Sequence, residues 1–238
     1  MGARVITVKH ENALPEGTAK RQAVEGMFDR LAPRYDRMNR VISLGLDRRW
    51  RRRTVAALDL PPESLVLDLA CGTGDLSNDL TAAGMSPIGL DFSAGMLAVA
   101  HTCAPLTRAD GAALPVRHDA FDGIVCGFAL RNFVELGAVF RECARVLRPG
   151  GRFAAVDASV PANPVLRAGN AVWFRGAVPL LGRLLASDAD AYQYLPKSTA
   201  YLPELDELAR QLARAGFYDT RTDTLTGGSV LLLTGTRS

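Results

Sequence analysis

Residues 65–75 read LVLDLACGTGD, an apolar run that ends beside a carboxylate and breaks into two glycines one residue apart. A helical pattern starts at Asp75. This predicts a strand, a tight turn and a helix N-terminus. Glycine is needed there because the backbone must turn sharply and admit a ligand without a Cβ in the way. A second apolar run, PIGLDF, contains Asp91 close to its end. Asp91 falls roughly 20 residues beyond the turn, where nucleotide-binding α/β folds place the acceptor for ribose hydroxyls.

The turn also narrows the ligand. Dinucleotide sites carry a third glycine, but here that position is Ser77, and no lysine follows the turn as in a P-loop. Asp68 and Asp75 flank the glycines and would repel phosphates. They suit a cationic cofactor that carries an amine. S-adenosylmethionine has a sulfonium, an ammonium and a ribose, and the loop resembles motif I of the class I methyltransferases. A glycine turn with no ligand is the alternative.

Strands and helices alternate through the middle of the chain. LVLDLA is a strand and Asp75 to Ala83 a helix; PIGLDF is a strand and Ala94 to Cys103 a helix. LTRAD (106–110) is a short strand, and FDGIVCGF (121–128) reads as a strand buried on both faces. Leu136 to Leu147 is helical, RPGG (148–151) ends it, and GRFAAVDAS (151–159) is the fifth strand. A helix over 203–216 precedes two β runs, YDTRTDTL and SVLLLTGT, joined by Thr226-Gly227-Gly228 as an antiparallel hairpin. The expected fold is α/β, a doubly wound and mostly parallel seven-stranded sheet of Rossmann-like type with an antiparallel C-terminal hairpin.

Outside this alternation, residues 1–18 read as a mobile N-terminus and 19–238 as one domain. A helical cap covers 19–60 and a helical insertion 161–199. Val24, Met27, Phe28 and Leu31 form an amphipathic stripe. The basic run Arg48 to Arg53 around Trp50 reads as a solvated helix face, with contact to an anionic lipid surface as the alternative. The apolar stretch AVWFRGAVPLLGRLLA (171–186) is too short and broken to span a bilayer. A net charge of +3 is too small to argue for nucleic acid. Neither the scattered histidines nor Cys71, Cys103, Cys126 and Cys143 form a metal pattern. The polar start of the chain predicts no signal peptide, and three of the four cysteines fall in or beside expected core elements and read as buried thiols of a reducing cytoplasm.

Further segments carry a closer resemblance. YDRMNRVISLGLDRRW (35–50), FALRNF (128–133), RVLRPGGRFAAVDAS (145–159), YQYLPKST (192–199), AGF (215–217) and LTGG (225–228) resemble, in kind and order, the signatures of the ubiquinone/menaquinone biosynthesis C-methyltransferases. Four positions depart from that pattern. Asp47 stands for a His, Gly127 for a Ser, Asp157 for a Glu and Lys197 for a Glu.

The resemblance implies a site. Asp68, Gly72, Thr73, Gly74, Asp91, Met96, Asp110, Gly111 and Gly127 would hold S-adenosylmethionine. Arg131, Asn132 and Asp157 would be catalytic. Tyr35, Asp36, Asn39 and Tyr194 would meet the acceptor, with plain packing as the alternative for the aromatics. No metal is implied. Methylating an aromatic carbon needs a phenol or quinol whose hydroxyl is deprotonated, held in line with the methyl group. Arg131 could stabilise the phenolate or lower the pKa of a bridging water, and Asp157 could orient a hydroxyl or water.

The expected acceptor is a prenylated quinol, demethylmenaquinol first among them. Alternatives are a soluble phenolic or polyketide metabolite, or a scaffold that binds the cofactor without catalysis. Expected partners are this small aromatic acceptor and no nucleic acid. Peripheral contact with the inner face of the cell membrane, from a cytoplasmic location, and a homodimer are further options.

Overall fold

The computed structural model describes residues 16–173, 176 and 198–238. Helix α1 (Gly17–Leu31) leads through a turn at Pro33 into α2 (Tyr35–Ile42), and α3 (Asp47–Ala56) follows. The alternating part is β1 (Leu65–Leu69), α4 (Asp75–Ala82), β2 (Ser86–Asp91), α5 (Ala94–Ala98), β3 (Leu106–Arg108), β4 (Phe121–Gly127), α6 (Leu136–Val146) and β5 (Leu147–Ala158). Then come α7 (Pro164–Val172), α8 (Leu205–Arg214), β6 (Phe217–Leu225) and β7 (Val230–Arg237).

The seven strands lie in the order β3-β2-β1-β4-β5-β7-β6. The first five pair in parallel, and β7 runs antiparallel to both β5 and β6. This is the sheet expected from the alternation and the hairpin. From β1 the chain moves outward to β2 and β3, then returns to the other side as β4. That reversal opens a crevice at the carboxyl ends of the strands, where such sheets bind ligands.

Side-chain alternation explains why both faces are covered. Leu67, Ile124 and Ala155 point into one core with Phe140, Leu208 and Leu212. Their neighbours Val66, Val125 and Ala154 point into the other with Leu58, Leu76 and Leu80. In the first core Phe140 and Phe217 meet Phe153 edge-on, with centroids 5.8 and 5.7 Å away.

Three local expectations change. The helix after β2 stops at Ala98 rather than Cys103. Its continuation is drawn to the glycine turn instead, where the His101 amide donates to the Thr73 carbonyl at 3.0 Å. RPGG does not end a helix. It forms an irregularity inside β5, which begins at Leu147 opposite Phe121, with Gly150 in the left-handed region. The basic run is only partly a solvated face: Arg48, Arg49, Arg52 and Arg53 are exposed, but Arg51 is buried. Its guanidinium meets Asp47 at 2.6 Å, Asp75 at 2.9 Å and Asp79 at 3.0 Å, tying α3 to α4. The insertion residues 177–197 lie outside the described residues, as do 1–15 of the N-terminus.

Removing Arg51 would leave three carboxylates, that of Asp47 buried, facing one another without its charge. Arg51→Ala is expected to lower stability by about 3 kcal/mol, whereas Arg48→Ala should change it by less than about 0.5 kcal/mol. Urea denaturation of both variants measures the difference.

Candidate active site

A cavity of about 380 Å³ opens at the crevice beside β1 and β4, within the size range of small-molecule sites. Its floor is the glycine turn. Ala70, Gly72 and Gly74 all have positive φ, and a Cβ on Gly72 would lie 3.1 Å from the Met96 methyl. Asp91 locks this turn. One carboxylate oxygen accepts from the Gly72 amide and the other from the Ser93 amide, both at 2.8 Å. Burial raises the Asp91 carboxyl above its ordinary range, although these amide bonds pull it down.

Gly72, Asp91, Met96, Asp110, Gly111, Gly127 and Asn132 all line this cavity, as does Tyr35. Asp68, Thr73 and Gly74 do not. Asp68 is fully buried behind the turn, where its Oδ2 accepts from the Ser77 hydroxyl at 2.6 Å. Its other oxygen has no hydrogen-bond partner among the described residues. The Thr73 hydroxyl donates to Asp36 Oδ1 at 2.7 Å, and Gly74 packs against Thr102. Asp36 therefore faces the turn and not an acceptor pocket; its other oxygen lies 3.6 Å from His101.

The other walls are aromatic and come from places the sequence did not single out as a site. Phe28 of α1, Phe92 and Phe133 line the cavity. The guanidinium of Arg21 lies 4.4 Å from the Phe92 ring centroid and pairs with Asp110 at 2.9 Å. In the stripe of α1, Met27 and Leu31 enter the core, while Val24 and Phe28 face the cavity. The period showed one apolar face but not its division between core and cavity.

A second cavity, of about 640 Å³, lies on the far side of Phe128, whose residue lines both. Phe128 has φ 58°, an uncommon conformation for a bulky residue. The walls are Asn39 and Ile42 of α2, Asp47 and Trp50 of α3, the loop residues Leu44 and Leu46, and the inner face of α7. Tyr35 and Asn39, one helical turn apart, thus serve different cavities. Trp50 is fixed by its indole donating to the Thr226 hydroxyl at 2.8 Å.

Arg131 also lines this second cavity and is almost wholly buried. Its Nε donates to the Ser198 hydroxyl and its Nη1 to the Phe128 carbonyl, both at 3.0 Å. Nη1 also pairs with Asp157 Oδ1. Asp157 lines neither cavity. It is fully buried and accepts from the Arg131 amide at 3.1 Å and the Ala158 amide at 2.7 Å. The expectation that it orients a substrate hydroxyl or water is replaced by one in which it holds Arg131, because its oxygens are already engaged. Asp47 is engaged too. Burial alone would raise its carboxyl, but bonds from Ser43 at 2.7 Å and Arg51 outweigh that and hold it below the ordinary range. Tyr192, Tyr194 and Lys197 lie outside the described residues.

Asp68 gives the fold a pH signature. Burial pushes its pKa up to about 7 in the folded protein, against about 3.9 when unfolded. The folded state then holds a proton that the unfolded chain has released. Stability is therefore lost as pH rises between about 4 and 7, on the order of 4 kcal/mol for this group alone. Asp68→Asn is expected to flatten that part of the stability curve. Denaturation midpoints of both proteins at pH 5 and pH 8 should show the wild type losing ground that the variant keeps.

Comparison with known proteins agrees with this architecture. A SAM dependent methyltransferase from Aquifex aeolicus superimposes with a TM-score of 0.62, covering 90% of this chain and 98% of that one at 13% identity. A demethylmenaquinone methyltransferase of Roseiflexus sp. (strain RS-1) is 40% identical over 230 residues, 93% of this chain and 96% of the relative. One from Mycobacterium bovis (strain BCG / Pasteur 1173P2) is 41% identical over 213 residues, 89% and 91% of the two chains. The ubiE/COQ5 methyltransferase family matches residues 16–237, so the chain belongs to that family and is an S-adenosylmethionine-dependent methyltransferase.

Proposed function

We propose that the protein methylates a ring carbon of a prenylated quinol, with demethylmenaquinol as the acceptor. The observation that carries this reading is the pair of cavities divided by Phe128. The smaller has acidic groups at its edges, which suits a cationic cofactor. The larger has mostly apolar walls and one buried arginine, which suits an apolar ring with an acidic hydroxyl. The names of the Roseiflexus and Mycobacterium relatives support the choice of acceptor.

In this reading S-adenosylmethionine occupies the smaller cavity. The Gly72 backbone meets its methionine end, Asp91 its ribose hydroxyls, and Met96, Gly111 and Asp110 its adenine. Gly127 lines the same cavity, and Asn132 stands at the wall next to Phe128. Asp68, Thr73 and Gly74 shape the turn from behind. When bound, the cofactor supplies an electrophilic methyl group and leaves as a neutral thioether. Tyr35 and Phe128 separate the two ligands up to the point of transfer, and Asn39 faces the acceptor. Tyr194 remains an acceptor residue in the proposal.

The chain's own task is to make the ring carbon nucleophilic. The hydroxyl proton leaves to water, because Asp47, the carboxylate among the described residues of that wall, is held ionised by Arg51 and Ser43 and is a poor base. Arg131 stabilises the resulting phenolate. The bonds described above use Nε and Nη1, which leaves Nη2 to face the ring oxygen. The phenolate electron pair would move into the ring, the new carbon–carbon bond forming as the methyl–sulfur bond breaks, and the proton on that carbon would pass to water, which restores aromaticity.

Arg131→Lys keeps the charge opposite Asp157 but loses the planar fork. It is expected to slow single-turnover transfer to demethylmenaquinol by about 100-fold or more while cofactor affinity changes by less than about threefold. Part of the rate should return at alkaline pH, where the hydroxyl ionises without help. Wild-type protein that binds cofactor but transfers no labelled methyl to any prenylated quinol would point to a soluble phenol instead.

Leu44, which lines the larger cavity, is 69% exposed, and Val165 and Val172 of α7, which do not line it, are 78% and 72% exposed. Exposed Arg48 and Arg49 follow the Leu44–Leu46 loop in sequence. Among the described residues no helix is long and apolar enough to cross a membrane. Peripheral contact with an anionic bilayer fits these exposed side chains and lets the prenyl tail stay in lipid. Co-sedimentation with phosphatidylglycerol vesicles is expected for the wild type and should fall at least about fivefold in Val165→Asp/Val172→Asp.

A further inference from the structure

Helix α1 lies across the smaller cavity and is fastened along its length. Near its end, Asp29 Oδ1 accepts from the Ser93 hydroxyl at 2.5 Å and the Gly95 amide at 2.9 Å. In the middle, Glu25 pairs with Arg108 at 2.7 Å. These bonds tie the helix to loops that build the cofactor side. The first turn is different. Lys20 is only 5% exposed, its Nζ donates to the Phe133 carbonyl at 2.7 Å, and it lies 3.8 Å from the centroid of the Tyr201 ring.

Both partners of Lys20 belong to the segments that hold Arg131. Phe133 follows the 3-10 turn Leu130–Asn132, and its ring lines the cofactor cavity. Tyr201 closes the turn that begins at Thr199, next to Ser198, whose hydroxyl accepts from Arg131 Nε. An apolar residue would pack this position at less cost, because a buried ammonium must recover its lost hydration. Burial lowers the Lys20 pKa accordingly. A charged hydrogen bond and a cation–π contact offset that cost only while both segments are in place.

We propose that Lys20 is a positioning residue that couples the cover of the cofactor cavity to the placement of Arg131 over the acceptor cavity. Closing α1 over bound cofactor draws Lys20 onto the Phe133 carbonyl and Tyr201, and these two segments then fix Arg131. The proposal rests on the assignment of the two cavities made above. It adds an order to the reaction: the acceptor side is complete only when the cofactor side is closed.

The test compares wild type, Lys20→Met, Tyr201→Leu and the double variant by two rates. One is dissociation of S-adenosylhomocysteine, which needs no acceptor. The other is single-turnover transfer to demethylmenaquinol at saturating cofactor. Lys20→Met is expected to speed dissociation about tenfold and slow transfer about tenfold, the scale of one charged hydrogen bond. Tyr201→Leu should act in the same direction, and the double variant should be no slower than Lys20→Met alone. A folded Lys20→Met protein with lowered thermal stability and both rates unchanged would make Lys20 a structural residue and overturn the proposal, as would additive effects in the double variant. If Lys20→Met does not fold, Tyr201→Leu decides by the same two rates. Wild-type protein that binds S-adenosylhomocysteine but does not methylate the quinol would refute the acceptor assignment, and the dissociation rates would still read the latch.

Discussion

The buried pair of Arg131 and Asp157 is the interaction on which the two-cavity arrangement depends. Asp157, on β5, accepts from the main-chain and side-chain nitrogens of Arg131, which follows β4. The pair therefore closes the ends of two neighbouring strands. The same guanidinium holds the Phe128 carbonyl, and Phe128 is kept in a left-handed conformation with its residue between the cavities. A buried ion pair contributes little net stability, because desolvation consumes most of its Coulomb energy. What it contributes here is direction: neither charge has another place to go, so the turn that carries Phe128 and Arg131 has one geometry.

The sheet was legible in the sequence because its cause is local. Val66 and Leu67, or Ala154 and Ala155, alternate between two cores that both need apolar residues, and the result is a run of apolar strands separated by helical periods. The glycine turn was legible for a similar reason, since residues of positive φ leave a mark in composition. The end of α5 and the start of β5 were not. The first is set by the bond between His101 and Thr73, the second by the pairing of Leu147 with Phe121. Both partners are distant in sequence, so no window along the chain contains the reason.

Carboxylates were harder to assign than glycines. The sequence shows that Asp36, Asp47, Asp68 and Asp157 stand near motif residues, but their function depends on what occupies their oxygens. Asp36 holds Thr73, Asp47 holds Arg51, Asp157 holds Arg131, and Asp68 keeps one oxygen without a partner among the described residues. Three of the four thus act by orienting another group. The Arg51 network also shows why a basic run misleads: five arginines within six residues look alike on paper, and only the packing of α3 on α4 singles out the one that three carboxylates surround.

The two halves of the site are built differently, and this explains where the chain departs from the family pattern. The smaller cavity rests on the turn after β1 and the ends of β2, β3 and β4, of which β1 and β4 are packed on both faces. A change there disturbs a close-packed interior. Gly127 is the one departure on that side, and it is a loss of bulk: a Cβ would lie 2.7 Å from Leu76 Cδ1. The described part of the larger cavity is lined by α2, α3 and α7, of which α7 buries no residue at all. Such a wall can exchange even a buried charged residue if a neighbour compensates. Asp47 illustrates this, because Arg51 and Ser43 neutralise and anchor it, so a change of charge in the family signature does not place a free charge in an otherwise largely apolar cavity. Asp157 follows the same logic from behind the wall. Its shorter side chain still reaches Arg131, whose guanidinium lines the larger cavity.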